Sequence, residues 1–185
     1  MGVSGGIEGA RYDANELQNH KQFTLSTRWP TRVAKVNSQQ AVVTDAKIMY
    51  KFSPEILYSF GRLAVIGQYF YNRISRDNGL NAFRGSGAYV TLRGLLKGRY
   101  YKYTKIDGGL ATPDAGNMKL CLQYNYTSLS DASAGIYGGY LSDWALCYNY
   151  YINRRVRGSW TKVTNRSNFA DNEVSIFETR LQVKF

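Results

Sequence analysis

Apolar and polar residues alternate with period two along most of this chain. That pattern restricts it to extended strands carrying one greasy and one wet face. In the clearest run Met118, Leu120, Leu122, Tyr124 and Tyr126 share one face, and Lys119, Cys121, Gln123 and Asn125 share the other. Trp144, Leu146, Tyr148, Tyr150 and Ile152 stand against Cys147 and Asn149, and Val156, Gly158 and Trp160 against Arg155, Arg157, Ser159 and Thr161. The final run sets Phe177, Leu181, Val183 and Phe185 against Glu178, Arg180, Gln182 and Lys184. Earlier runs are Phe23-Leu25-Thr27-Trp29, Ile48-Tyr50-Phe52 and Ala88-Val90-Leu92, whose polar neighbours include Arg28, Lys47, Lys51 and Arg93. Helical periodicity is scarcely visible, so the expected class is all-β and antiparallel, with residues 1–185 forming one region.

Gly-, Asn-, Asp- and Ser-rich segments at 75–79, 106–116, 129–135 and 164–171 are the expected linkers, and Ile152-Asn-Arg154 is an expected tight turn. Long and short connections then alternate, as in bacterial transmembrane barrels, which carry turns on one side and loops on the other.

Alternation alone fits a soluble sandwich, with its apolar face inward, and a membrane barrel, with its apolar face toward lipid. Composition helps to choose between them. The chain has 16 Tyr, 8 Phe and 3 Trp, and Tyr124, Tyr126, Trp144, Tyr148, Tyr150 and Trp160 are read as lying near strand ends, where interfacial girdles sit. Strands of about ten residues suit a tilted crossing of the hydrocarbon layer. No segment approaches the ~20 apolar residues of a transmembrane helix, so strands are the expected means of crossing. With 24 Lys plus Arg against 13 Asp plus Glu, the net charge is +11, which points to anionic partners.

The chain ends at Phe185, preceded at alternate positions by Val183 and Leu181. Such an end resembles the C-terminal signal by which bacterial outer-membrane barrels are recognised by their assembly machinery. From about residue 83 onward the chain also resembles the C-terminal part of the phosphate-selective porin O and P family. The residues that carry the resemblance are GAYVTLRG at 87–94, KLCLQYNYTSLSD at 119–131, GIYGG at 135–139, LSDW at 141–144, NYYIN at 149–153 and FETRLQVKF at 177–185. The resemblance implies an antiparallel transmembrane β-barrel porin in the outer membrane of a Gram-negative bacterium, a trimer, passing small anions such as phosphate and contacting lipid and lipopolysaccharide. Porins of this kind have about 16 strands. At roughly 20 residues per strand and connection this chain supplies about eight to ten. Together with the absence of a signal-peptide pattern in Met1–Glu8, this leads us to expect the C-terminal portion of a larger barrel.

If the polar parity lines a lumen, Arg28, Lys47, Lys51, Arg93, Lys119, Arg155, Arg157, Arg180 and Lys184 form a positive wall that lowers the barrier to anions. The competing readings of these cations are ion pairs with Asp45, Asp143 or Glu178, and contacts with lipopolysaccharide. Cys121 and Cys147 share the polar parity of neighbouring strands, so a cross-strand disulfide and two small lumen residues both remain open. No metal spacing surrounds them. His20 sits in a polar context, and no nucleophile constellation, phosphate loop or cofactor motif is present; no enzymatic activity, metal or cofactor is expected. The alternative function is a soluble basic β-protein stacking nucleic-acid bases on Tyr. Its cations would gather in one patch, whereas here they interleave with apolar residues, so nucleic acid is not the expected partner.

Overall fold

The computed structural model describes residues 1–10, 21–28, 37–105, 109–153, 155–168 and 172–183. Its main body is one antiparallel sheet of eight strands. In spatial order these are β1 (Gly2–Gly9), β4 (Ala46–Phe60), β5 (Leu63–Arg76), β6 (Phe83–Lys97), β9 (Met118–Asp131), β10 (Ile136–Tyr151), β11 (Val156–Ser167) and β12 (Asn172–Val183). Two small hairpins are inserted between them: β2 (Phe23–Arg28) with β3 (Asn37–Val43), and β7 (Tyr103–Thr104) with β8 (Gly109–Leu110). The all-β, antiparallel expectation therefore holds. β1 and β12 form the two edges of the sheet.

Register assigns a face to each residue. On β4 the outward row reads Ile48, Tyr50, Phe52, Pro54, Ile56, Tyr58 and Phe60, apolar throughout. Partner rows on β5, β6 and β9 continue it through Tyr71, Tyr69, Val65, Val90, Leu92, Tyr124 and Leu122. The opposite surface, termed concave because the inserted β2–β3 hairpin packs against it, carries Gln68, Asn72, Tyr89, Thr91, Arg93, Gln123, Asn125, Asp143 and Asn149. An apolar cluster around Ile74, Phe83 and Leu129 is buried on this surface, yet polar residues are buried beside it and large apolar ones stay exposed on the opposite face. Asn149, Thr91 and Asp143 are 4%, 4% and 8% exposed, while Trp144, Leu181 and Phe177 are 55%, 69% and 72% exposed. Lys162 is a cation on the outward parity of β11, facing Leu146 and Phe177.

Several expectations need correction. Phe23–Arg28 is not a wall strand. It pairs only with β3, and this hairpin folds against the concave surface, where Phe23, Leu25, Ala41 and Val43 pack with Met49, Ile74, Phe83 and Leu129. Segment 164–171 is not all linker, since Thr164–Ser167 pairs with β10 on one side and β12 on the other, and two ladders of backbone hydrogen bonds override polar composition. The predicted linkers at 75–79 and 129–135 likewise begin inside β5 and β9. Long and short connections do not alternate. Each end of the sheet carries one long excursion, 10–45 at one end and 98–117 at the other, among short turns. The short turn at Asp77-Asn78-Gly79 is made by Asn78 and Gly79 at φ 57° and 70°, left-handed values that Asn and Gly tolerate. Tyr124 and Trp144 face each other in mid-strand, ring centroids 4.6 Å apart, because β9 and β10 extend well beyond the alternating runs. Tyr148, Tyr150 and Trp160 do fall toward a strand end, with the Tyr148 and Trp160 rings tilted against each other, centroids 5.6 Å apart.

Candidate functional site

The concave surface carries two hydrogen-bonded polar groups. Gln68 donates to Ser53 Oγ at 2.9 Å and receives the Tyr89 hydroxyl at 3.2 Å. Farther along, the Thr91 hydroxyl donates to Gln123 Oε1 at 3.1 Å, Gln123 donates to Asn125 Oδ1 at 2.8 Å, and Asn125 donates to Asp143. These side chains converge because β5, β6, β9 and β10 lie in direct register and place their polar parity on one side.

Beside these groups lies a cluster of cations. Arg93 faces Cys121 across β6 and β9, Lys119 lies two residues from Cys121 on the same face, and Arg157 faces Tyr151 across β11 and β10. Lys119 Nζ and the Arg157 guanidinium carbon lie 5.7 and 5.9 Å from the Tyr151 ring centre, within cation–π range. Arg157 also donates to Gln182. Arg180, on the same surface of β12, faces Ser159. Among the described residues none of Arg93, Lys119, Arg157 and Arg180 forms an ion pair.

The described parts of 98–117, residues 98–105 and 109–117, pack beside this cluster. Tyr101 N–H donates to Gly61 O at 3.1 Å, Gly116 N–H to Tyr151 O at 2.7 Å, and Tyr101 and Leu110 pack with Ala64 and Leu95. Three buried donors in this neighbourhood, Arg93 Nε, Arg157 Nε and Tyr101 Oη, have no hydrogen-bond partner among the described residues. Burial pushes the Tyr101 hydroxyl well above the usual range of a phenol, so it remains a donor. A cleft of about 300 Å³ opens alongside, lined by Pro113, Asp114, Tyr151, Arg155 and Arg157. Orphaned donors beside unpaired positive charge are chemically suited to an anion's oxygens, and arginine offers a fork that fits a tetrahedral oxyanion.

At the other end of the sheet the β2–β3 hairpin narrows the concavity. The fully buried Gln39 donates to Thr127 O at 3.0 Å and Gly139 O at 2.9 Å, and the Ser167 hydroxyl donates to Ser38 O at 2.6 Å. Lys21, just before β2, pairs with Asp77 at 2.9 Å, and Lys47 pairs with it at 3.6 Å. The Lys21 ammonium, with that of Lys47, holds the Asp77 carboxyl below its ordinary value.

The predicted cations therefore have different fates. Arg93, Lys119, Arg157 and Arg180 lie on the concave surface, and Arg155 lines the cleft from the β10–β11 turn. Lys51 is on the same surface but is neutralised by Glu8 at 2.6 Å. Lys47 does not line the wall. A register shift between Ala46 and Ile48 carries it to the rim, beside Asp77. Arg28 ends β2 in an exposed position off the main sheet, because its strand belongs to the inserted hairpin. Leu181 and Val183 form an exposed apolar row on the edge strand β12; Lys184, Phe185, His20 and Trp29 lie outside the described residues. Cys121 and Cys147 are free thiols in direct register. The sequence reading missed Tyr101, Gln39 and Tyr151. No local signal marks them, since their roles depend on connections folding back over the sheet.

No known family model matches this chain, and no curated protein does.

Proposed function

We propose that this chain forms part of the wall of an outer-membrane β-barrel pore that favours small anions, as the phosphate-selective porin O and P family would. The observation that carries the reading is the broad exposed apolar face of the sheet, set opposite a face that carries buried polar groups and cations beside its apolar clusters. Large apolar side chains are exposed over the convex surface, while amides, a carboxyl and arginines line the concave one. Lipid outside and water inside is the environment that rewards this arrangement. The unpaired cations Arg93, Lys119, Arg157 and Arg180 then face the water-filled side, where low-dielectric walls focus their field and enrich anions.

The two edges of the sheet bear on the size of the barrel. In hydrocarbon an unpaired ladder group costs several kcal/mol, so β1 and β12 are paired in the membrane. A barrel of eight strands is filled by its own side chains, and here a hairpin and a long connection also occupy the concave side. The complete barrel is therefore wider than eight strands, in keeping with a C-terminal portion of a larger porin, assembled through its last strand and associating as trimers. Lys162 reaches past its apolar neighbours with a long stem.

The test is expression, in a Gram-negative host and behind a secretion signal, of the complete barrel to which this chain contributes its part of the wall. The expected result is recovery in the outer-membrane fraction after alkaline extraction, and an anion-preferring reversal potential in planar bilayers. A soluble product, or cation preference, would overturn the reading.

A further inference from the structure

Two arginines on the outward face have no counter-charge. Arg73 of β5 and Arg84 of β6 are direct cross-strand partners, so their side chains emerge side by side from the convex surface. Both are exposed, and among the described residues neither guanidinium makes an ion pair or a hydrogen bond. Like charges directly opposite each other on a sheet are destabilising. On β11 and β12 the outward Arg166 instead faces Glu173, so the charge there is balanced within the sheet. The Arg73–Arg84 pair sits a few residues inside the strand ends, near the turn at Asp77–Gly79, which is the depth of a membrane interface. Next to it, between β4 and β5, a surface cleft of about 400 Å³ is lined by Tyr50, Phe52, Tyr71, Arg73, Ser75 and Lys51, the last paired with Glu8.

We propose that Arg73 and Arg84 together hold the phosphate of a lipid headgroup, with the Tyr50–Phe52–Tyr71 cleft receiving the start of its acyl chain. The site rests on the reading that the convex surface meets lipid, and it adds a specific headgroup chemistry to that surface. Two guanidinium forks a strand apart can each offer paired N–H donors to one phosphate, and the anion cancels the repulsion between them. A soluble anion would gain the same contacts but would leave the aromatic walls of the cleft against water. An acidic protein would need further cations, and the outward positions around the pair are Tyr50, Phe52, Tyr71, Ser75 and Ser86.

The probe is vesicles of phosphatidylglycerol mixed with phosphatidylcholine, against phosphatidylcholine alone. Purified parent protein is compared with the double variant Arg73→Gln/Arg84→Gln, and lipid retained after detergent extraction is identified by mass spectrometry. The parent should enter both vesicles and retain the anionic lipid selectively. The double variant should lose about 25-fold in that preference, from roughly fivefold per arginine near an anionic surface, and its ion selectivity should be unchanged. Because the variant could misfold, the parent is also assayed at high salt, where its preference should collapse. Equal retention by parent and variant, or a parent without preference, overturns the site and leaves the pore reading standing. Displacement of the lipid by millimolar inorganic phosphate overturns it in favour of a soluble ligand. Failure to enter either vesicle overturns the membrane reading itself.

Discussion

Cys121 of β9 and Cys147 of β10 face each other as direct cross-strand partners on the concave surface, and Arg93 faces Cys121 from the other side. Cys147 Sγ accepts from Asn149 Nδ2 at 3.2 Å and lies 3.6 Å from Ser159 Oγ, so its surroundings are polar. If the concave surface is a lumen, an anionic, water-soluble methanethiosulfonate should modify these thiols in membrane-embedded protein and reduce the current. Leu122→Cys in a background lacking both cysteines places a thiol on the outward row, which only a lipid-soluble maleimide should label. Labelling of that outward thiol by the water-soluble reagent would contradict the assignment of faces.

The β2–β3 hairpin is held by a close fit. A Cβ added at Gly138 would lie 2.6 Å from Leu129 O and 2.7 Å from Ala41 Cβ, one atom in the sheet and one in the hairpin. Gly138→Ala should therefore push the hairpin off, at a cost of about 1–3 kcal/mol for overpacking. Gln39→Ala should loosen the same contact by about 1–3 kcal/mol, since it removes the donor to one buried carbonyl and one half-buried carbonyl. Both variants should show higher single-channel conductance and faster proteolysis between residues 10 and 45. Wild-type conductance in both would mean that the hairpin does not narrow the path.

Acid should release the same hairpin from its rim tether. Asp77 has a folded-state pKa below its unfolded one, because Lys21 and Lys47 stabilise the carboxylate. The stabilisation is therefore fully present above the unfolded value, about pH 4, and is lost as pH falls through the lower, folded value. Pepsin cleavage within residues 10–45 should rise across that acid window in the parent. In Asp77→Asn it should already be raised at the top of the window and change little below it. A variant that follows the parent at every pH would show that these ion pairs do not tether the segment.

How much of this was legible in the sequence depends on the range of the interaction. Parity is a local property, and the runs at Met118–Tyr126 and Trp144–Tyr150 place each side chain on the face the sheet gives it. Strand β1 escaped notice because Gly2, Gly5, Gly6 and Gly9 leave too few side chains to alternate. The second half of β4 was missed where Pro54 interrupts the residues usual for a strand, and β5 begins with Leu63-Ala64-Val65-Ile66, apolar on both faces. The site needs contacts across long separations. Gln39 reaches Thr127 and Gly139, and Tyr101 reaches Gly61, none of which periodicity encodes. Parity alone places Lys47 on the wall, because nothing in composition marks the register shift at Ala46/Ile48 that breaks the count.

A single strand provides the sharpest test of the charge mechanism. Arg157 and Arg166 both belong to β11. Arg157 faces Tyr151 on the concave surface, whereas Arg166 faces Ser142 and Glu173 on the convex one. Each substitution by Glu changes the protein by two charges, so net charge and strand identity are held constant between Arg157→Glu and Arg166→Glu. A charge in the lumen acts on a permeating ion through water confined by low-dielectric walls, while a charge on the outside is separated from that ion by the sheet itself. Arg157→Glu should therefore shift the zero-current potential in a salt gradient toward cation preference, most strongly near 10 mM salt, where the Debye length is about 30 Å. Arg166→Glu should leave that potential at the parental value. Adding Arg93→Glu and Lys119→Glu to Arg157→Glu should extend the shift, because all three cations lie in one cluster without ion pairs. Equal shifts from the inward and outward substitutions would mean that selectivity follows net charge alone, and no shift from the triple variant would remove the concave cations from the anion path.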